Sequence, residues 1–273
     1  MAGPLANFEE KRAELVIDPA PSRFAAAFGP ISRRLGKAEL ALDQADLAVA
    51  RETCAGWQPV GLTVEQAARI LLLLDIAKTQ GQIAGRLKDL AATADLGELI
   101  AIYKGLPLYP EPASLVSLAI EGLRTSVRAV FEAVAQNNPF PAEHFPQSSW
   151  NQMVLKALFI ESALHPIAGL DKRWNIELAR MLIDYANERR AADRPVTPEL
   201  WRGVGQFGDT IAIAELVRVL DVGDPISQKA AALALCESGH PAASRALARR
   251  RDFADAVAAG NITWADVYAG VGV

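Results

Sequence analysis

The sequence predicts an all-α protein, arranged as an irregular α-α superhelix with HEAT-like helix pairs in its C-terminal half. Apolar residues recur at every third or fourth position, which is the helical period, and Ala and Leu dilute Val and Ile throughout. Residues 224–250, DPISQKAAALALCESGHPAASRALARR, indicate two helices separated by a glycine-containing turn, as in a HEAT repeat. No strict period extends over the whole chain, so the pattern favours an irregular superhelix over a regular array.

Helical periodicity predicts the elements of the N-terminal half in order. The predicted helices cover 37–53, 63–79, 81–92, 95–104 and 114–136. Thr63 stands before VEQAARILLLL as an N-cap. Gly122, inside the last of these helices, indicates close packing or a bend.

Capping residues predict where the helices of the C-terminal half begin. A helix start favours Ser, Thr, Asp or Asn, because the side chain accepts hydrogen bonds from the free backbone N–H groups, and it tolerates proline in the first turn. These signals stand at Ser149 with Gln152 as a capping box, at Asn175, at Thr197 with Pro198, at Asp209, and at Asp224 with Pro225.

Length and composition are those of a folded globular protein. The chain has 273 residues, of which 51% are hydrophobic and 22% are charged. We expect a single all-helical domain over residues 1–273. Because cores seldom grow beyond about 250 residues, a sub-division into N-terminal helices, 1–105, and a core with the HEAT-like end, 106–273, is compatible with this length.

Charge and cysteine content argue against several classes of protein. A net charge of −4 gives no support for nucleic-acid binding or for an anionic membrane surface. Cys54 and Cys236 lack the CxxC spacing of a metal site. The N-terminus has acidic residues where a signal peptide needs a basic flank, and Asp75 interrupts the longest apolar run, 70–74. We therefore expect a cytoplasmic protein that does not span a membrane.

Cofactor and metal motifs give no specific signal. Residues 203–208, GVGQFG, match GxGxxG literally, but a capped helix rather than a strand precedes them, so a helix-end glycine cluster is the better interpretation. His144, His165 and His240 lack the spacing of a zinc site. We expect no cofactor and no metal.

The loop 137–146, NNPFPAEHFP, and the helix that follows it form the candidate site. Three prolines stiffen the loop that carries Phe140, His144 and Phe145. These rings fit a structural plug, and they fit a binding loop as well. The indole of Trp150 at the start of the helix fits a core anchor or a pocket wall.

Charged residues on apolar helix faces are the second candidate feature. Lys156 lies at the edge of the apolar arc of its helix and Glu161 near its middle, so each needs a partner or a wet cavity. Asp75 poses the same problem, with Lys78 as a local partner. Asp184 is spaced as a surface pair with Arg180. If Asp184 or Glu161 meets Lys156, the result is either a structural ion pair or a polar floor beneath an apolar cavity.

Two basic runs are typical of solvated helix ends. Arg249–Arg251 and the ERR at 188–190 could touch phosphate or lipid headgroups, but the helix dipole favours arginine at a C-terminus without any ligand. The sequence assigns neither run a role.

The long strings between Leu106 and Phe207 resemble the EboA family of bacterial metabolite-traffic proteins. The residues that carry the resemblance are Asn138, Pro139, Trp150, Asn151, Gln152, Lys156, Gly169, Asp171, Arg173, Asn175, Asp184, Tyr185, Glu188 and Arg189. ERW is usual in this family where the chain has ERR, so Arg190 departs from the pattern. The first hundred residues carry the resemblance only weakly.

The resemblance implies a binding or adaptor component of a secondary-metabolite trafficking or biosynthesis pathway. It implies an apolar small-molecule metabolite and protein partners encoded in the same gene cluster, and it transfers no catalytic residue. The ligand-binding candidates are Phe140, His144, Phe145, Trp150, Asn151, Lys156, Arg173 and Tyr185.

Two alternatives stay open. The chain could be a cofactor-free helical enzyme that acts on an apolar, for example prenylated, metabolite. Its acid-base candidates would then be Lys156, Glu161, His144 and Asp184. It could also be a structural scaffold without a ligand.

Overall fold

The computed structural model describes residues 3–18, 20–80 and 83–271, and it confirms the all-α prediction. These residues form 18 α-helices and three short 3-10 helices, and none of them belongs to a β-strand. One isolated antiparallel bridge joins Glu39 and Thr63. The HEAT-like superhelical arrangement stays a prediction.

The chain divides into two compact units, Met1–Ser149 and Trp150–Val273. The sub-division expected at residue 105 falls inside the first unit, and the single family domain stays a prediction. No helix in the described ranges has both the length and the apolar character that crossing a membrane requires.

The first unit is built around α5. Its α-helices are α1 Pro4–Ile17, α2 Pro21–Phe28, α3 Ile31–Leu35, α4 Gln44–Thr53, α5 Val64–Gln80, α6 Ile83–Thr93, α7 Leu96–Lys104, α8 Pro112–Gly122, α9 Arg128–Ala135 and α10 Phe140–His144. A 3-10 helix, Leu106–Leu108, follows α7. Helix α5 packs against α1, α3 and α7, and its Leu72, Leu73 and Ile76 are almost fully buried. These side chains form the centre of the first hydrophobic core.

The predicted helix 37–53 is shorter in the structure, because its first part pairs with another segment. The Leu40 N–H donates to the Leu62 carbonyl at 2.8 Å, so residues 38–40 are extended. Asp43 then caps α4 by accepting from the backbone of Ala45 and Asp46. The helix therefore begins only at Gln44.

The predicted helix 114–136 is two helices, α8 and α9. Helix α8 ends at Gly122, and the Val127 N–H is bonded to the Thr125 hydroxyl before α9 begins. A Cβ on Gly122 would lie 2.5 Å from the Tyr103 ring, so this glycine marks close packing. For the predicted helix 81–92, Gly81 and Gln82 lie outside the described residues.

The second unit is organised around α15. Its α-helices are α11 Gln147–Phe159, which starts just before the unit does, α12 Leu170–Arg173, α13 Ile176–Ala191, α14 Thr210–Val222, α15 Pro225–Cys236, α16 Pro241–Arg249, α17 Arg251–Ala258 and α18 Trp264–Val271. Two 3-10 helices, Pro198–Gly203 and Gly205–Phe207, connect α13 to α14. Helix α15 contacts α14, α16, α17, α18 and both 3-10 helices, and its residues 230–235 are buried.

The caps predicted at Asn175, Asp209 and Asp224 are confirmed. Each side chain accepts a backbone N–H of the first turn, at 2.9 to 3.0 Å. The cap predicted at Ser149 is wrong, because α11 begins at Gln147 and Ser149 lies inside the helix. Thr197 precedes a 3-10 helix and makes no side-chain capping bond.

The GxGxxG string has a packing role. A Cβ on Gly203 would lie 2.5 Å from the Trp174 ring, and a Cβ on Gly205 would collide with the backbone of Ala234 in α15. A dinucleotide-binding loop follows a β-strand in a βαβ unit. Here the string lies in and between two 3-10 helices that follow α13, so that geometry is not formed at residues 203–208.

Asp75 pairs with Arg12 of α1 rather than with Lys78. Arg12 donates from Nε to Oδ2 at 2.7 Å and from Nη2 to Oδ1 at 3.2 Å. The side chain of Asp75 is 12% exposed, because it lies on the apolar face of α5. The bidentate ion pair with Arg12 compensates the charge of this half-buried carboxylate.

Candidate functional site

Among the described residues, each unit contains a concave surface large enough for a small molecule. In the first unit a pocket of about 250 Å³, here called the Lys104 pocket, opens between the segment 57–62, the end of α7 and helix α9. It is lined by Trp57, Gln58, Pro59, Val60, Leu62, Gln66, Ile100, Lys104, Ala129, Glu132, Ala133, Gln136, Asn137 and Asn138. Amide groups, a few apolar side chains and two opposite charges therefore share one wall.

Local hydrogen bonds fix the rim of the Lys104 pocket. The Gln58 N–H donates to the Asn137 carbonyl at 3.2 Å, which ties segment 57–62 to the end of α9. Asn137 has a left-handed backbone, with φ 53°. The buried Asn138 side chain donates to the carbonyls of Tyr103 and Ala133, both at 3.0 Å. Hydrogen bonds within the protein thus hold this wall of the pocket in place.

Lys104 is the only cation that lines this pocket among the described residues. Its Nζ donates to the Gly61 carbonyl at 3.2 Å and to Gln66 Oε1 at 3.4 Å. Burial lowers the pKa of Lys104 below its ordinary value, although the negative charge of Glu39 acts in the opposite direction. The two hydrogen-bond acceptors are neutral, so the ammonium group holds a partly buried charge without a direct ion pair.

In the second unit a groove of about 360 Å³ runs between α13 and α14. Its wall is mainly apolar, with polar groups from Arg180, Asp184, Asn187 and Asp209. The apolar residues that line it are Ile176, Ala179, Ile183, Phe207, Ile211 and Ala212. Arg180 and Asp184 line this groove and are exposed, in agreement with the surface positions predicted for them.

The three rings predicted in loop 137–146 are brought together, but two of them face the core. Phe140 and Phe145 are buried, and their ring centroids lie 6.3 Å apart in an edge-to-face arrangement. The His144 ring lies 4.8 Å from the Phe140 ring, and its Nε2 is 3.6 Å from Glu143. The loop is a short helix, α10, and this packing fits a plug. A ligand role for these residues stays a prediction.

Of the candidates in the second unit, Trp150 and Arg173 are in contact, whereas Asn151 and Tyr185 bond to residues that are not candidates. Trp150 is fully buried, with the Arg173 guanidinium 4.8 Å above its ring. Asn151 is buried and accepts from Asn175 at 2.9 Å, so it supports the residue that caps α13. The Tyr185 hydroxyl donates to the Leu158 carbonyl at 3.0 Å. Their ligand-binding role is a prediction.

Glu161 is exposed, contrary to its expected place on the apolar arc. Helix α11 ends at Phe159, and Glu161 follows in a turn with a left-handed φ of 56°. Its side chain is 77% exposed, and Oε1 lies 3.9 Å from Arg189. Lys156 is half-buried and Asp184 is exposed on the groove. The acid-base roles of Lys156, Glu161, His144 and Asp184 stay predictions.

The sequence reasoning missed the pair His165 and Glu199. Glu199 is buried and accepts from the backbone N–H groups of Leu164 at 2.8 Å and His165 at 3.2 Å. The same carboxylate lies 2.7 Å from Nδ1 of His165, whose ring stacks on Tyr268. Because 34 residues separate the pair, no local spacing signals it. Lys104 was missed too, since a lysine in the last turn of a helix is usually a solvated helix end.

Metal and thiol chemistry receive no structural support. Within the described parts of the chain, no group of three His, Cys, Asp or Glu side chains is arranged to hold a metal ion. Burial, aided by the negative charges of Glu143 and Glu237 respectively, raises the pKa of the Cys54 and Cys236 thiols. An activated nucleophilic cysteine needs the opposite shift.

The described residues form an all-α chain with two concave surfaces, the Lys104 pocket and the α13–α14 groove. Residues 3–205 match the family model described as Metabolite traffic protein EboA, so the chain belongs to the EboA family. This supports a metabolite-related role. No curated protein and no solved structure matches the chain significantly. The match ends at Gly205, so helices α14–α18 lie beyond it.

Proposed function

We propose that this chain is a binding component of metabolite traffic and that it holds a small metabolite in the Lys104 pocket. The observation that carries the proposal is the partly buried Lys104 ammonium group in a pocket of about 250 Å³ with only neutral acceptors bonded to it. Every residue that lines the pocket lies between 57 and 138, inside the residues that match the family.

The size of the pocket favours a small metabolite. Drug-sized ligands occupy clefts of roughly 300–1,000 Å³, and this pocket is slightly smaller. Its lining contains the two kinds of group that binding sites combine, apolar side chains that exclude water and a few polar groups that orient the ligand. Trp57, Leu62 and Ile100 supply the first kind, and Gln66 and Lys104 supply the second.

The remaining parts of the proposal rest on the family resemblance. These are the secondary-metabolite pathway, a bacterial setting, and protein partners from the same gene cluster. The cytoplasmic setting is proposed from the N-terminal sequence and the two isolated cysteines. The apolar ligand expected from the sequence would fit the α13–α14 groove better than the Lys104 pocket, because isoleucines and Phe207 line that groove.

The test is native mass spectrometry of the full chain purified from its own host, followed by denaturation and extraction of any released compound. We expect a near-stoichiometric small molecule on the wild type and on Lys88→Met, an exposed lysine of α6 that serves as the matched control. Lys104→Met should be recovered empty. Repeated recovery of empty wild-type protein, or full occupancy of Lys104→Met, would refute the proposal.

A further inference from the structure

We propose that the ligand of the Lys104 pocket is a small organic carboxylate with a single negative charge, whose carboxylate group forms the ion pair that Lys104 otherwise lacks. This inference rests on the proposed function and names the class of metabolite. Four features of the pocket support it: the bonding of Lys104, the burial of its charge, the presence of Glu132, and the apolar part of the wall.

Within the described ranges, two of the three donors of the Lys104 ammonium group have an acceptor. Lysine offers three N–H bonds, and Lys104 uses two of them, to Gly61 at 3.2 Å and Gln66 at 3.4 Å. Both bonds are long and end on neutral oxygens, whereas bonds from an ammonium to a carboxylate are typically about 2.7–2.9 Å. A ligand oxygen in the pocket would supply the stronger third partner.

Burial makes such a partner favourable. Removing an ammonium from water costs free energy unless an opposite charge compensates it. Lys104 shows this cost as a lowered pKa, and the one negative charge that acts on it, that of Glu39, does not reverse the shift. A bound carboxylate would stabilise the charged form and raise the pKa again, so binding and protonation of Lys104 are linked.

Glu132 on the same wall is paired with Arg128, so it does not balance the charge of Lys104. Its Oε1 accepts from Arg128 at 2.6 Å, and its side chain is 28% exposed. A phosphate monoester carries about −1.5 to −2 charges at neutral pH, which the single charge of Lys104 does not balance. A monoanion matches the single cation of the pocket.

The body of the ligand would lie against the apolar part of the lining. Trp57, Leu62 and Ile100 offer a surface for an aliphatic or aromatic group, and the amides of Gln58 and Gln136 line the polar side. An unbranched carboxylate with one ring is therefore a reasonable probe.

The test is isothermal titration of the full chain with matched probes. Benzoate and 3-phenylpropanoate provide the carboxylate, benzamide and 3-phenylpropanamide replace it with a neutral group, and phenyl phosphate is the dianion. We expect the carboxylates to bind at least about tenfold more tightly than their amides, which is the size of effect typical of a charged hydrogen bond. Phenyl phosphate should bind more weakly than either carboxylate.

Three variants separate the charge from the fold. Lys104→Met should lose the preference for carboxylates, Lys104→Arg should keep it, and the control Lys88→Met should bind as the wild type does. Circular dichroism checks that each variant is folded. If Lys104→Met does not fold, Lys104→Arg and the pH dependence still test the inference.

The affinity for the carboxylate probes should fall at alkaline pH. The probe carboxylates are ionised above about pH 5. Loss of affinity at alkaline pH would then report deprotonation of Lys104, whose pKa lies below its ordinary value of 10.5. The affinity of Lys104→Arg should stay constant over the same range, because arginine stays charged.

Several results would overturn the inference. They are equal affinity for carboxylates and amides, tighter binding of phenyl phosphate, unchanged binding by Lys104→Met, or no binding of either carboxylate. A neutral metabolite recovered from the host-purified chain, and missing from Lys104→Met, would overturn the carboxylate class while supporting the proposed function. Empty host-purified protein would overturn the proposed function itself.

Discussion

Arg190 of α13 and Glu215 of α14 form an ion pair that joins the family-matched residues to the helices beyond them. Arg190 Nη1 donates to Glu215 Oε2, and Arg218 Nη2 donates to Glu215 Oε1 at 2.8 Å. Glu215 is buried and lies outside the matched range 3–205. The family resemblance leads one to expect tryptophan at position 190. The arginine here has a specific acceptor in this chain's own α14.

This cluster gives stability that depends on pH. Burial acts to raise the pKa of Glu215, but the hydrogen bonds from Arg218 and Arg190 outweigh it, so the pKa lies below 4.5. A lowered folded-state pKa stabilises the protein above 4.5, and the contribution is lost as pH falls through the folded value. Glu215→Gln should therefore lower the free energy of unfolding by about 1–3 kcal/mol at pH 7 and by less in acid.

Urea unfolding at pH 7 and at acidic pH measures this effect. Glu188→Gln, an exposed residue of α13, is the control and should change stability little at either pH. If Glu215→Gln loses the same free energy at both pH values, the stabilisation does not come from the ionised carboxylate.

The pair Arg12 and Asp75 should show measurable coupling in the first unit. The hydrogen bond from Arg12 to Asp75 is the main cause of the raised pKa of Arg12, and both side chains are half-buried. We expect Asp75→Asn and Arg12→Met each to destabilise by about 1–2 kcal/mol, and the double variant by less than their sum. A double-mutant cycle by urea unfolding tests this.

The exposed pair of Arg23 and Asp18 is the internal control for that cycle. Its side chains are 55% and 49% exposed, so Arg23→Met should change the free energy of unfolding by no more than about 0.5 kcal/mol. Strict additivity of the Arg12 and Asp75 variants would show that the two side chains act independently.

Gly205 should tolerate no side chain. A Cβ there would collide with the backbone of Ala234, so Gly205→Ala should destabilise by about 1–3 kcal/mol or shift α15. No atom lies within 4 Å of the corresponding Cβ position on Gly239, which makes Gly239→Ala the matched control. Thermal unfolding of the two variants compares them directly, and equal midpoints would argue against the close contact.

Glu199 should be a stabilising residue of the second unit. It accepts two backbone N–H groups and the imidazole of His165, so Glu199→Ala leaves buried donors without partners and should cost about 2–4 kcal/mol. His165→Ala removes only one of these bonds and should cost less. Thermal unfolding ranks the two variants.

The same carboxylate should fix the tautomer of His165. A carboxylate only accepts, so Nδ1 must carry a proton, and in the neutral ring Nε2 is then the acceptor. Nitrogen-15 NMR of the histidine ring reads this directly. A neutral ring protonated at Nε2 would contradict the geometry.

Helix caps were predictable from the sequence, whereas ion-pair partners that lie far apart in the chain were not. Asp209 and Asp224 cap their helices because the accepting side chain and the N–H groups lie within three residues of each other. The partner of Asp75 is 63 residues away, and the helical pattern pointed instead to the nearby Lys78. Glu161 was misplaced because periodicity was extended past the end of α11 at Phe159.

The Lys104 pocket was beyond sequence reasoning for the same reason. Its walls come from segment 57–62, the end of α7 and helix α9, which are separated in the chain and meet only on folding. The aromatic loop 137–146 was predictable as a candidate site because its rings are close together in the sequence. In the structure its Phe140 and Phe145 face the core.

The contact between Gly205 and Ala234 also orders events during synthesis on the ribosome. Trp201 lies in the first of the 3-10 helices that pack on α15, Val204 lies between the two, and both side chains are buried. Both residues leave the ribosome before α15 does, because α15 begins only at Pro225. Chains fold as they leave the ribosome from the N-terminus onward, and exposed apolar surface on a partial chain favours aggregation. The last family-matched segment can therefore complete its packing only after α15, which lies beyond the match, has left the ribosome.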